Sequence, residues 1–169
     1  MKKIMLVSLF CLASIATFGQ NFEVPKNVTF ETKEKYQTYE PQIKEAINWA
    51  LNTPLSREPG KRRETYTFFM TWLTGTPNVS ISIDTDKMTF WQTNPELLIP
   101  FMMGWTTYAL DNGYSKDEIQ GYKSGIEAIV AFYRNNMLLL KKDKNIEKYE
   151  TLIKKGKLDD ELKKLLNKK

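Results

Sequence analysis

The sequence predicts an all-α protein: a small antiparallel domain of about five to six helices with one short β-hairpin insertion over residues 78–91. Three observations lead there. Apolar residues recur at helical spacing through most of residues 41–138. Signals that start and stop helices punctuate the same stretch and leave only short connections. A period of two appears in one place only, where Val79, Ile81 and Ile83 alternate with Asn78, Ser80 and Ser82.

The domain is preceded by an address. Lys2 and Lys3 give a positive start, residues 4–18 are almost continuously apolar, and the chain turns polar at Gly19, Gln20 and Asn21. This is the layout of a secretory signal peptide. The apolar run of about 15 residues falls short of the 18 or more that span a bilayer, so residues 1–19 are expected to be cleaved after Gly19. Residues 20–169 then form a single domain, periplasmic or extracellular, with no stable membrane span. Cys11, the one cysteine of the chain, leaves with the signal peptide. The exported domain is disulfide-free and must hold together by burial, which a chain of roughly 150 residues can do.

The formal net charge of +5 divides unevenly. Lys2 and Lys3 contribute +2, residues 20–140 hold 12 basic and 14 acidic side chains, and residues 141–169 hold 11 lysines and 6 acids. The body is near neutral and the basic character lies in a Lys-rich helical C-terminal segment. That segment has no Arg, Trp or Phe, and its lysines alternate with acids at helical spacing. It reads as a solvated helix surface, not a nucleic-acid footprint.

Each element has its own warrant. Residues 20–30 are an extended lead-in, and a first helical stretch is expected at 32–39. Pro41 suits a first helical position. Ile43, Ala46, Ile47, Ala50 and Leu51 then form an apolar stripe through 41–52. Thr53-Pro54 ends it, because the residue before proline avoids the helical region. A second helix spans about 62–74, with Tyr66, Phe68, Phe69, Met70, Trp72 and Leu73 on several faces, the pattern of a well-buried helix. Gly75 and Pro77 stop it. Trp49 to Pro54 and Trp72 to Pro77 share the pattern W-x-x-x-T-P. Without a third copy this marks two similar helix stops and not a repeat array.

After the hairpin, Asn94-Pro95-Glu96 joins a capping side chain, a proline and an acid at a helix start. The helix runs to Asp111 and Pro100 is expected to kink it. Ser115 and Glu118 fit a capping box that opens the longest helix, about 116–138, with a stripe that ends on Tyr133 and Met137. Gly121 and Gly125, four apart, allow a neighbouring helix to approach closely. Two short amphipathic helices, about 146–155 and 159–167, close the chain around Gly156, a C-cap.

The residue types exclude much chemistry. There is no histidine, so Ser-His-Asp and Cys-His catalysis are out, as are zinc sites built from His and Cys. No phosphate-binding loop occurs, and no cofactor or metal motif is present. The candidate catalytic groups are carboxylates: Asp84 and Asp86 in the hairpin turn and Glu96 at the next helix start, where two acids across a cleft can hydrolyse a glycan. Aspartates in turns also simply bond their own backbone. The candidate binding residues are Trp91, Gln92 and Asn94, with the ring of Trp91 facing outward if Phe90 faces inward along a strand, and the cations Arg57, Arg62 and Arg63 near a helix N-terminus.

The expected function is therefore non-catalytic binding by an exported helical domain. The partner is another envelope or secreted protein, or a small apolar ligand held between helices. The alternatives are a carboxylate-dependent hydrolase of envelope glycans and an apolar-ligand carrier, the latter requiring an enclosed cavity of roughly 300 Å³ or more.

Overall fold

A computed structural model describes residues 22–84 and 87–167. The expected signal peptide at 1–19 lies outside these residues, as does Asp86. Among the described residues the chain forms eight α-helices: α1 (Lys33–Thr38), α2 (Glu40–Asn52), α3 (Pro59–Gly75), α4 (Phe90–Thr93), α5 (Leu98–Asp111), α6 (Glu118–Asn135), α7 (Lys144–Lys154) and α8 (Leu158–Leu166). A 3₁₀ turn, Pro95–Leu97, joins α4 to α5.

The all-α class holds, but the β-hairpin does not form. Residues 78–84 are a single extended strap with no strand partner among the described residues. Its alternation is still real: Val79 is buried, Ile81 and Ile83 are half-buried, and Ser80 and Ser82 are exposed. Any extended segment laid along a helical core buries every second side chain, and a strand needs a paired neighbour as well. At the end of the strap the amides of Lys87 and Met88 both donate to the Asp84 carbonyl, at 3.3 and 3.0 Å, ahead of α4. The Asp84 amide donates to the Tyr122 hydroxyl at 2.7 Å, so the strap is bonded to α6. Met88 and Phe90 are fully buried beneath it.

Two apolar clusters share one wall. Ile43, Ala46, Ile47, Phe69 and Trp72 form the core of the N-terminal side. Phe90, Leu97, Tyr122, Ile126, Ile129 and Leu162 form that of the C-terminal side. Helix α5 serves both: Phe101 and Trp105 pack into the second cluster, Met103 and Ala109 into the first. Helices α5 and α6 approach each other closely. A methyl group built on Gly121 would lie 2.2 Å from the Trp105 ring, and one on Gly125 would lie 2.6 Å from the Phe101 ring. Gly104 answers from α5, where a methyl group would lie 2.5 Å from the Ser124 carbonyl oxygen.

Helix ends follow the local signals with adjustments. The Thr53 amide donates to the Trp49 carbonyl at 3.0 Å and the Thr76 amide to that of Trp72 at 2.9 Å, so the two W-x-x-x-T-P segments are equivalent stops. Pro100 does not kink a long helix. The backbone tightens to the 3₁₀ turn at Pro95–Leu97, α5 begins at Leu98, and Pro100 sits in its first turn. There a missing N–H costs nothing, since the first four amides have no partner within the helix. The cap of α6 is Asp117, two residues beyond Ser115, and its carboxylate accepts from the Gln120 amide at 3.1 Å. Gly156 (φ 64°) closes α7. Its amide donates to Ile153 at 3.0 Å and that of Lys157 to Leu152 at 2.9 Å, the paired bonds of a Schellman cap.

Candidate functional site

The side chains of α3 on one face close the ends of its neighbours. Arg62 is 6 % exposed. Its guanidinium donates to the carbonyls of Ala50 (3.0 Å), Thr53 (2.6 Å) and Pro54 (3.0 Å) at the C-terminus of α2. It also donates to the Tyr66 hydroxyl at 3.3 Å and lies over the Trp49 ring. Ten residues on, the Trp72 indole N–H donates to the Tyr36 carbonyl at the end of α1, at 2.9 Å. A cation and an N–H donor at helix C-termini satisfy orphan carbonyls and complement the helix dipole.

The opposite face of α3 is open. Phe68, Phe69 and Trp72 are buried, as expected of a well-buried helix, but Arg63, Glu64, Thr67, Thr71 and Thr74 are exposed. Arg63, Thr67 and Thr71, spaced four apart, form a ridge with a groove on either side. One groove, of about 550 Å³, lies between the ridge and the lead-in, with Val24, Pro25, Val28, Phe30 and Phe68 among its lining residues. The other, also about 550 Å³, is lined by Pro59, Tyr66, Met70 and Ile99. A third hollow of about 440 Å³ follows beyond Met70, against the strap at Val79, Ile81 and Ile83.

The ridge is less polar than its composition. The Thr67 hydroxyl donates to the Arg63 carbonyl at 2.9 Å and that of Thr71 to the Thr67 carbonyl at 2.8 Å. With those donors engaged by the helix backbone, the threonines offer a partner mainly their methyl groups. Lys26, Arg63 and Glu64 supply the charge along the first groove. Burial pushes the Tyr66 phenol above its ordinary range, with the Arg62 bond opposing the shift.

The candidate residues from the sequence scatter. Arg62 is the buried cap just described, Arg57 is exposed on the α2–α3 loop, and Arg63 stands on the ridge. Trp91 is half-buried in α4 and not outward on a strand, its ring edge-on to Phe90 at 4.9 Å. Gln92 is exposed. Asn94 is 1 % exposed and spends its amide inside the fold, donating to the Lys141 carbonyl at 3.0 Å and accepting from the Lys141 amide at 2.8 Å. The Asp84 carboxylate accepts from the Lys87 amide at 3.2 Å and pairs with its ammonium at 3.0 Å. Glu96 is exposed on the 3₁₀ turn. Among the described residues no group of three or more acids is placed to hold a metal.

The chain matches no family model, no curated protein and no solved structure. Among the described residues no helix is long and apolar enough to cross a membrane.

Thr67, Thr71, Met70 and the 24–30 segment went unnoticed in the sequence as site residues. The available signal was the four-residue spacing of Arg63, Thr67 and Thr71 on a helix rich in aromatic residues.

Proposed function

We propose that this is an exported, non-catalytic binding protein whose docking face is the outer side of α3, and that its partner is another protein. The observation that carries the reading is the pair of grooves of about 550 Å³ flanking one exposed ridge. Each has the volume of a ligand site and mostly apolar walls. Both are bounded by the exposed Arg63 and Thr67, so they are surface clefts, suited to side chains of a partner pressed across the ridge. An enclosed apolar-ligand carrier has less in its favour for the same reason. The hydrolase reading has less still, since the Asp84 carboxylate is engaged by Lys87 while Glu96 stands in solvent.

A photo-crosslinking phenylalanine analogue placed at Thr67 or Thr71 in the producing cell tests it, with exposed Glu45 on α2 as the control position. A discrete protein adduct is expected from 67 and 71 and not from 45. No adduct at either ridge position, or the same adduct from all three, overturns the docking face. Peptidoglycan cleavage by the parent that Asp84→Asn or Glu96→Gln abolishes overturns the non-catalytic reading.

A further inference from the structure

We propose that the turn at residues 137–139 is a docking tip that seats on an anionic lipid surface. The large hydrophobic side chains left exposed among the described residues are Met137 at 60 %, Leu138 at 101 % and Leu139 at 57 %, and they are consecutive. Single apolar residues scattered on a surface need no explanation, whereas a contiguous exposed cluster marks a contact site.

The tip is held out on both flanks. On the α6 side Asn136, 3 % exposed, accepts from the Leu55 amide at 2.7 Å and donates to the Phe132 carbonyl at 2.8 Å. Its own carbonyl accepts from the Leu139 amide at 2.8 Å. On the α7 side the Asn94 amide makes its two bonds to Lys141. The Tyr133 hydroxyl donates to the Lys141 carbonyl at 3.3 Å and accepts from the Asp143 amide at 3.2 Å. Turning the leucines inward would break these buried polar bonds, so their exposure is built into the backbone.

Charge and size choose the occupant. Lys141, Lys142 and Lys144 follow the tip directly and are all exposed. Exposed Arg57 lies two residues from Leu55, which Asn136 grips. Against these stand Glu147, 3.6 Å from Lys142, and Glu96 near Asn94. Asp143 lies between the lysines but is 3 % exposed, with one carboxylate oxygen capping α7. An apolar point followed by three exposed lysines matches an interfacial anchor, with the leucines entering the acyl boundary and the ammonium groups meeting anionic headgroups. Three side chains fall well short of the roughly 600 Å² a side that even a small specific protein interface buries. A bilayer imposes no such minimum.

Co-flotation of the purified protein with phosphatidylcholine vesicles, with and without phosphatidylglycerol, tests this. Binding is expected on the anionic vesicles and is expected to weaken as salt is raised. The double variant Leu138→Ser, Leu139→Ser should lower the partition coefficient at least about tenfold. Lys141→Gln with Lys142→Gln should lower it roughly fivefold or more. Parent and serine variant are both taken as the exported protein, without residues 1–19, so their difference reports the tip alone, and an unchanged melting temperature shows that the variant's fold is intact. The proposal is overturned if the parent does not float, if it floats equally with neutral vesicles, or if the serine variant floats as well as the parent. Self-association of the parent that the serine variant abolishes overturns it too, making the tip a contact between copies.

Discussion

Arg62 is the residue whose role moved furthest, from candidate ligand to internal cap, and its replacement gives a quantitative test. Methionine keeps much of the stem's length but removes every donor. The Ala50 carbonyl is then left unpaired in a buried setting, which costs about 1–3 kcal/mol. The carbonyls of Thr53 and Pro54 lie nearer solvent, where water recovers part of the loss. Losing a cation at the end of α2 adds about 0.3–1 kcal/mol. One term opposes these. The four hydrogen bonds of the guanidinium go to three carbonyls and a phenol and none to a carboxylate, so removing a buried unpaired charge returns some free energy. The net is a destabilisation of about 3 kcal/mol, which in a chain of this length lowers Tm by roughly 6–12 °C. Arg62→Lys should fall between, because one ammonium cannot span both sets of carbonyls. Arg63→Ala, one residue away on the exposed ridge, should stay within about 0.5 kcal/mol of the parent. Thermal unfolding followed by circular dichroism separates the cases. If Arg62→Met melts within about 2 °C of the parent, or Arg63→Ala is equally damaging, the capping argument is wrong.

Two further outcomes are expected. Gly104→Ala should destabilise by about 1–3 kcal/mol, since the added methyl meets the Ser124 backbone oxygen at 2.5 Å and backbone cannot step aside. Gly60→Ala, in the first turn of α3 with nothing within 4 Å, should stabilise by up to about 1 kcal/mol; denaturant midpoints for the two variants should therefore move in opposite directions. Burial first, then nearby Glu161 and Asp143, push the Tyr149 phenol from its ordinary 10.0 up to about 12. Between those values the native state keeps a proton that the unfolded chain has lost, so stability is full below pH 10 and falls as pH rises toward 12. The slope is about 1.4 kcal/mol per pH unit for this group. Tyr149→Phe should flatten it in part, with the raised phenols of Tyr66 and Tyr122 keeping the rest. An unchanged slope in Tyr149→Phe would rule out Tyr149 as the source.

The helices were legible where a local cause dominates. The spacing of Ile43, Ala46 and Ile47 names the buried face of α2, Thr-Pro names two helix ends, and Gly121 with Gly125 names the close approach of α5. The strap misled because a period of two belongs to any extended backbone, while strand pairing depends on a distant partner that periodicity cannot reveal. Asn94 carried an authentic capping signature, yet its amide is taken by Lys141, 47 residues away. Met137 looked like the last rung of the α6 stripe, but the helix ends at Asn135 because Asn136 turns to hold Leu55. The grooves were hidden for a similar reason, since α3 shares the walls of one with the lead-in and of the other with Ile99, both distant in sequence.

The position of α5 has a consequence for how the molecule comes apart. With Phe101 and Trp105 facing one cluster and Met103 and Ala109 the other, neither cluster survives the loss of that helix. Helices α1 to α6 should therefore unravel as one cooperative unit. Helices α7 and α8 pack on α6 and on each other and bury Ile146, Tyr149, Leu158 and Leu162 in the second cluster, so their opening uncovers part of that cluster while leaving the first closed. In native-state hydrogen exchange their amides should open at a lower free energy than those of α5. Proteases or ligands that act on the lysine-rich end would then sense its local opening free energy instead of the stability of the whole.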